Sequence, residues 1–436
     1  MIITYSLPLD VASSDQYRVS VSQGTKTAEV FVYKVNAVWR SNKSKDTSWA
    51  SFDMSGPVTV KITKLSGTFA ANTRVLPSAA KLTAKVMGNT VTFTLDRPRQ
   101  VALDEGADIS HPILIFANPL EKEKDVPKPN TPGVLYFGPG VHTIGSEKDV
   151  SAYHSIYLAG GAYVIGTLKL GKAQGVKISG RGILSGEQFK EPKGPHLIRS
   201  ESWDSQKVLV EGITLINSPS YNITLAGREH TIRNVKMIGW WFSTDGVQPG
   251  ENALVEDCFF KVNDDALKLY HSGTTVRRCT IWQMENGAPF QISWNMPTDN
   301  SGFLVTDCDV IRCEHEWNND NEAIICAIHG GKGHMSNYVF ENIRIENATW
   351  CLLSLQIKPN EFAKNQTPGT LSKITLRNVS ITGPLKKPIR IKGLSATQKV
   401  SDVLFENVRV AGKHLKSTAD MSFEIDPNTT GKITFL

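Results

Sequence analysis

A short pattern recurs through the second half of this 436-residue chain and limits its possible folds more than any other feature. It runs as an apolar residue, a spacer, a small polar residue, then two apolar positions split by a spacer. From a degenerate member at Gly212 it gives IRNVKM at Asn234, VEDCFF at Asp257, VRRCTI at Arg278 and VTDCDV at Asp307. It continues as FENIRI at Asn342, LRNVSI at Asn378 and FENVRV at Asn407. Successive intervals, by subtraction, are 22, 23, 21, 29, 35, 36 and 29 residues. A period near about twenty residues, with tolerated insertions, suits a solenoid of stacked coils whose loops vary. Coils one strand spacing apart, roughly 4.8 Å, put residues one repeat apart almost on top of each other. The expected fold is all-β: a parallel β-helix over residues 134–436, preceded by an N-terminal β-sandwich.

The sandwich is expected over residues 1–125. The runs EVFVYKVNAVW, VTVKITK, KLTAKV, TVTFTLD and ILIFANP are short, apolar-alternating and rich in Val, Thr and aromatics. Turn signals separate them, and Gly88-Asn89 between KLTAKV and TVTFTLD marks a hairpin. Strands at roughly ten-residue spacing indicate a sandwich. The charged, proline-rich stretch EKEKDVPKPNTPG ends in a linker at 126–133. Beyond it, VLYFGPGVHTIG, SIYLAGGAYVIGTLKLG and VKISGRGILSGEQF read as the first coils, broken by Gly at corners. The tail TADMSFEIDPNTTGKITFL reads as a strand or two closing the open end.

A net charge of +6 is dilute over this length, and no block of five basic residues occurs, which argues against nucleic acid as a partner. No run of eighteen apolar residues exists to span a membrane. The opening MIITYSLPLD lacks the charged and apolar regions of a secretory signal, so a secreted or periplasmic location implies a signal outside this chain. Cys258, Cys279 and Cys308 fall at one register of successive repeats, which reads as an inward stack of thiols. Few or no disulfides are expected.

The chemistry concentrates in STDGVQPGENALVEDCFFKVNDDALKLYHS, residues 243–272. Asp245 and the pair Asp264/Asp265 are about one coil apart and should share a surface patch. In DDALKLY, Leu267 and Leu269 share one parity and should point inward, with Lys268 and Tyr270 outward. The same parity turns Asp265 inward, where an ionised carboxylate costs several kcal/mol. The chain is therefore expected to bend at Asn263–Asp265 and present both carboxylates to solvent. Three crowded carboxylates repel, which raises the pKa of at least one. One residue type then supplies both an acid and a base, as glycoside hydrolysis requires. The competing readings are a turn, since Asp-Asp and Asp-Gly are turn signals, and a Ca²⁺ site. Trp240, Trp241, Trp282 and Trp294 lie within about one coil, and aromatic faces suit a pyranose ring. Trp294 follows the strand PFQIS at a corner, which favours exposure.

The run FKVNDDALKLYHSGTTVRRCTIWQMENGAPFQISW resembles the catalytic region of glycoside hydrolase family 49, the dextranases and isopullulanases. GAYVIGTLKL and SGRGILSGEQF are similar to that family's upstream coils, and a sandwich followed by a right-handed parallel β-helix is similar to its architecture. The resemblance covers most of residues 60–330. It implies an inverting hydrolase of α-glucans such as dextran or pullulan, acting without metal or other cofactor. By motif position it implies Asp264 as general acid, with Asp245 and Asp265 activating water. Asn263, Lys268, Tyr270 and Trp294 would line the cleft, and Trp241, His271 and Gln291 complete the expected sugar-binding set. A monomer acting on a polysaccharide or oligosaccharide is the expectation.

Polygalacturonases, in the same clan, are the alternative. STDG and the Asp pair resemble their motifs, but no Gly-His-Gly follows near His271. Arg390-Ile391-Lys392 lies more than a hundred residues past the aspartates and reads better as a strand edge than as a uronate clamp. His271 is equally suited to orienting a carboxylate or capping a turn. The polar insertion around Glu314, His315, Glu316 and Asn318–Glu322 is placed to border a cleft. A non-catalytic carbohydrate-binding solenoid would need the tryptophans and not the aspartates.

Overall fold

The computed structural model of the protein describes residues 1–5, 11–37, 46–191, 193–316 and 318–436. Val38 and Trp39, at the end of the run EVFVYKVNAVW, and residues 6–10 of the opening segment lie outside these. Strands dominate throughout, with three short 3₁₀ turns among the described residues.

Two sheets form the N-terminal sandwich. In one, Tyr17–Gln23, Val58–Lys64 and Thr90–Leu95 pair antiparallel, bringing Val19 opposite Ile62 and Val60 opposite Phe93. Their alternate residues are buried because one face meets the second sheet and the other meets water. The hairpin at Gly88-Asn89 pairs Met87 with Thr90. The second sheet is centred on Asp46–Met54 and Ile113–Pro119, which run parallel with Ala50 opposite Ile115. These two strands are buried on both faces. Ala50, Phe52 and Ile115 join the sandwich core, while Trp49 and Phe116 face the other way, onto the β-helix. Residues 120–133 connect the two parts, with one 3₁₀ turn at Glu123–Asp125.

From Val134 the chain winds a parallel β-helix with three faces. The first face runs from Val134–Phe137 to Ile433–Phe435, and the second from Gly140–Asp149 to Arg409–Val410. The third includes Ile198–Ser200, Ile223–Leu225, Val247–Gln248, Leu267–Lys268, Phe290–Ser293, Ile325–His329 and Leu353–Ile357. All successive rungs on these faces are parallel. Phe423–Ile425 and Ile433–Phe435 of the tail supply last rungs, on Ile389–Lys392 and Val400–Glu406.

The repeat's small polar residue marks the corner between the first and second faces. Gly212, Asn234, Asp257, Arg278, Asp307, Asn342, Asn378 and Asn407 all have positive φ, between 49° and 83°. A left-handed turn penalises most L-residues by about 1–2 kcal/mol, and Gly, Asn and Asp visit it most readily. Arg278 departs from that preference and is held by ion pairs to Asp257 at 2.8 Å and Glu256 at 2.7 Å. The asparagines also bond to one another up the stack: Asn407 donates to Asn378 at 2.8 Å, Asn378 to Asn342 at 3.2 Å, and Asn342 to Asp307 at 3.2 Å. One position after each corner the side chain turns inward, and there Cys258, Cys279 and Cys308 stack fully buried as free thiols.

Over several rungs the outward side of the second face meets the sandwich and not water. Ile183, Ile216, Ile238, Phe259 and Trp282 pack against Trp49, Leu76 and Phe116 of the sandwich. Trp282, one of the four tryptophans near the aspartates in sequence, is therefore buried at this interface, its indole donating to Glu314 at 2.6 Å. Polar groups cross the same interface. Arg181 pairs with the buried Asp53 at 3.0 Å, and Arg312 with Asp104 at 2.6 Å. Lys236, wholly buried, donates to Asn118 and to the carbonyls of Asn234 and Gly212. Burial pushes its pKa down to about 7.

Candidate active site

The turn joining the second and third faces carries the chemistry. After Phe259–Val262, the segment Asn263–Ala266 bends before Leu267–Lys268 resumes the ladder. Neighbouring coils press close on this bend. A Cβ at Gly246 would lie 2.1 Å from the Ala266 carbonyl oxygen, and one at Gly287 would lie 2.3 Å from the Asp264 carbonyl carbon. Only glycine fits above and below. Side chains then fix the backbone: Gln283 donates to the Asp264 carbonyl at 2.8 Å, Asn263 accepts from the Asn286 amide at 2.9 Å, and Asn222 donates to the Asp245 carbonyl at 2.7 Å.

Strand register places Asp245 and Asp265 at the same height position on successive rungs, two residues before the paired Val247 and Leu267. With Asp264 beside them, one oxygen from each of the three carboxylates lies within 4.8 Å of one from the others. Asp245 and Asp265 are 4% and 1% exposed, so the bend does not deliver both members of the pair to solvent. Asp264 alone is half-buried and reaches the surface. The expectation of two solvent-facing carboxylates fails because partners satisfy Asp265 inside: the Ala288 amide donates to it at 3.0 Å and the Asn321 amide group at 2.7 Å.

Lys268 supplies the balancing charge. Its ammonium lies 2.8 Å from Asp245 and 3.3 Å from Asp265, and donates to the Tyr221 hydroxyl at 2.6 Å. The ammonium thus sits against two carboxylates and one hydroxyl. This ammonium occupies the place between Asp245 and Asp265 that a bridging cation would take. Burial raises the pKa of Asp245 to about 6, opposed by Lys268 and reinforced by Asp265. Burial also lifts Asp264 well above the ordinary carboxylate range, with repulsion from Asp245 and then Asp265 adding to it. Asp264 makes no ion pair with Lys268 among the described residues, so its proton is held most firmly.

The other expected residues divide. Gln291 is buried and donates to Asn321 at 2.6 Å, so it supports the partner of Asp265 and does not face a cleft. Asn263, fully buried, braces the turn as described. Tyr270 is also buried, within the β-helix core cluster, its ring centroid 6.0 Å from the Lys268 ammonium. Its outward parity leads to a position closed over by neighbouring rungs. Trp241 is half-buried between Trp240 and Phe242, on the turn just before Asp245. His271 is buried edge-on against the exposed Trp203, centroids 4.9 Å apart, and burial lowers its pKa to about 4, so the ring is neutral. Trp294 is half-buried, wedged against the core and edge-on to Phe362 at 5.1 Å. Asn360 donates to the Trp294 carbonyl at 2.8 Å and sets Phe362 against its edge, which limits the exposure expected from its corner position to part of the ring.

Three residues of the site escaped the sequence reading. Tyr221 and His196 stand one and two rungs before Asp245 in the same register, their rings 4.6 Å apart. Burial lowers His196 to about 4. Counting back one coil from Asp245 would have reached Tyr221. Asn321 lies in the recognised polar insertion, which gave no sign of which residue turns toward Asp265.

Arg390 and Lys392 both pair with Glu424 on the next rung, and their strand is bonded on both sides, so it is an interior rung and not the edge expected. A cleft of about 1130 Å³ lies elsewhere, between the sandwich and the helix, and its walls contain none of the three aspartates. Its arginines Arg233, Arg278 and Arg344 are paired with Glu256, Asp257 and Asp309.

The model of glycosyl hydrolases family 28 matches residues 167–425. A dextranase from Arthrobacter globiformis is 29% identical over 260 residues, which cover 50% of this chain and 39% of that one. An isopullulanase from Aspergillus niger is 23% identical over 398 residues, covering 77% of this chain and 70% of that one. This chain therefore spans less than half the length of the Arthrobacter dextranase. Among solved structures, Dex49A from Penicillium minioluteum has a TM-score of 0.79 at 20% identity, covering 100% of this chain and 96% of that one, a likeness of fold. With the family model spanning more than half of its residues, the chain belongs to glycosyl hydrolases family 28, and the relatives it resembles are dextranases and an isopullulanase.

Proposed function

We propose that the protein hydrolyses α-glucosidic linkages in a polysaccharide such as dextran or pullulan, with inversion at the anomeric carbon. One observation carries the reading: of three aspartates gathered within 4.8 Å, two are ion-paired to Lys268 and the third is not. Asp264, half-buried and lifted well above the usual carboxylate range, is the general acid that protonates the leaving oxygen. Asp245 and Asp265, both beside the Lys268 ammonium, form the base that takes a proton from the attacking water. The site needs no metal for this, since Lys268 and the raised pKa of Asp264 supply the charge control. A polymer too large to enter a cell places the reaction in a secreted or periplasmic setting.

An ordinary inverting pair stands about 6.5–9.5 Å apart to admit water. The aspartate oxygens here are closer than that, so the wide spacing expected of such a pair is not found. Inversion rests on the likeness to dextranases and isopullulanases and on two neighbouring carboxylates placed to serve one water. Two measurements test the proposal. Products from a panel of dextran, pullulan and polygalacturonate should show cleavage of the α-glucans, and cleavage of polygalacturonate alone would replace this reading with a uronate hydrolase. Proton NMR of early product should show the β-anomer; an α-anomer formed first would rule out direct attack by water.

A further inference from the structure

Beyond Asp265 on the third face, the same register holds Ala288, Ala323 and Cys351. At one rung each, Cys351 lies roughly 14 Å along the coils from the carboxylates. There a cavity of about 260 Å³ opens, bordered by Asn318, Asn319, Asp320, Trp350, Lys387 and Arg390.

The chemistry of these walls is specific. Trp350 is half-buried against the small apolar cluster of Ala288, Ala323, Cys326 and Cys351, so its ring is held firmly, with the Lys387 ammonium 4.9 Å from its centroid. Asp320 receives Lys358 on one oxygen. Its other oxygen receives only long contacts, 3.4 Å each, from Gln356 and Arg390, and so has capacity to accept from a ligand hydroxyl. Asn319 uses its carbonyl oxygen to cap the Asn321 amide at 3.0 Å, which leaves its NH₂ as a donor. Asp320 and Glu322 offset Lys387 and Arg390, and Arg390 is also paired with Glu424. A neutral polyhydroxylated ring suits such a balanced site, and a uronate does not. The wall is also tied to the carboxylates, because Asn321, between Asp320 and Glu322, donates to Asp265.

We infer that this cavity is an outer subsite that binds a neutral glucosyl unit of the same polymer, stacked on Trp350 and hydrogen-bonded by Asn319 and Asp320, several units from the bond cleaved. This rests on the α-glucan reading above. The site explains a role for the enlarged coil between Asp307 and Asn342: its insertion builds one wall of the subsite and buttresses Asp265.

A chain-length series tests it. Wild type is assayed on α-glucan oligosaccharides of increasing length, beside Trp350→Ala and the milder surface variant Asn318→Ala, with thermal melts confirming that each is folded. Wild-type kcat/KM should climb once the oligosaccharide reaches the cavity. Trp350→Ala should lose about tenfold to a hundredfold on those longer chains and nothing on the shortest chain cleaved, the range expected for one lost aromatic contact. Asn318→Ala should show a smaller loss with the same length dependence. Equal activity of wild type and both variants at every length overturns the subsite while leaving the α-glucan reading intact. A wild type that cleaves no α-glucan at any length overturns both.

Discussion

Lys268 holds together three groups that would otherwise repel or go unsatisfied: Asp245, Asp265 and the Tyr221 hydroxyl. Burial drives Asp245 up to about 6, and Lys268 limits the rise. Between the usual carboxylate range and about pH 6, the folded protein keeps a proton on Asp245 that the unfolded chain releases. Stability from this group therefore declines as pH rises through that window, while the ionised base accumulates. The acid limb of kcat/KM should lie near pH 6, and the alkaline limb should follow loss of the proton on Asp264. Lys268→Met should move the acid limb to higher pH, since the cation that favours ionised Asp245 is gone; a pH–rate profile with an unmoved or lowered limb contradicts this. The same variant should be destabilised by about 3–5 kcal/mol at neutral pH, because two buried carboxylates lose their partner. In denaturant titrations that deficit should shrink as pH falls and the carboxylates protonate.

At this scale the aspartates were legible because residues one coil apart must meet. Their partners were not. Tyr221 and Asn321 sit outside the repeat pattern, and only the register of the third face shows that they converge on Asp245 and Asp265. Trp282 shows that pointing outward from a coil is not the same as facing water, because the sandwich covers it, while the Asn360–Phe362 turn leaves Trp294 half-buried.

The element that gave the fold away is the corner between the first and second faces. Its small polar residue recurs because the backbone there is left-handed, a constraint that leaves its trace directly in the sequence. The period, the β class and the inward cysteines all follow from it. The third face left a weaker trace, since its corners vary in length and hold the site. Asn342, at φ 55° with side-chain bonds to Asp307 and Asn378, sits midway along the corner stack. Asn342→Val should cost about 1–2 kcal/mol from the backbone alone, more where the stack is broken, whereas Asn342→Gly removes the strain and loses only the side-chain bonds. Thermal melts should rank wild type, then Gly, then Val. A Val variant as stable as Gly would mean that the corner is not what selects these residues.

Across the whole molecule the sandwich acts as a fixed wall for the second face. Strands Asp46–Met54 and Ile113–Pro119 are buried on both sides, one side in the sandwich and the other on the β-helix. Two parts that share such strands should unfold together. Asp53→Ala leaves Arg181, only 7% exposed in its side chain, without its buried partner and should cost about 3–5 kcal/mol. Calorimetry should show one transition moved to lower temperature. A sandwich transition that shifts while the β-helix transition stays in place would contradict the shared core. The sequence announced two β architectures but not their union, because the residues that join them read as ordinary strand interiors.

The division of labour among the three aspartates is tested most directly by removing the need for an acid. A glucosyl fluoride of an α-linked oligosaccharide carries a leaving group that departs without protonation, so general-acid assistance contributes little to its hydrolysis. Turnover of that substrate is compared with turnover of the natural α-glucan for Asp264→Asn, Asp245→Asn and Asp265→Asn. Asp264→Asn should lose orders of magnitude on the polysaccharide and regain most of the loss on the fluoride, while Asp245→Asn and Asp265→Asn remain impaired on both. Rescue of Asp245→Asn or Asp265→Asn in place of Asp264→Asn would contradict the assignment of Asp264 as the acid.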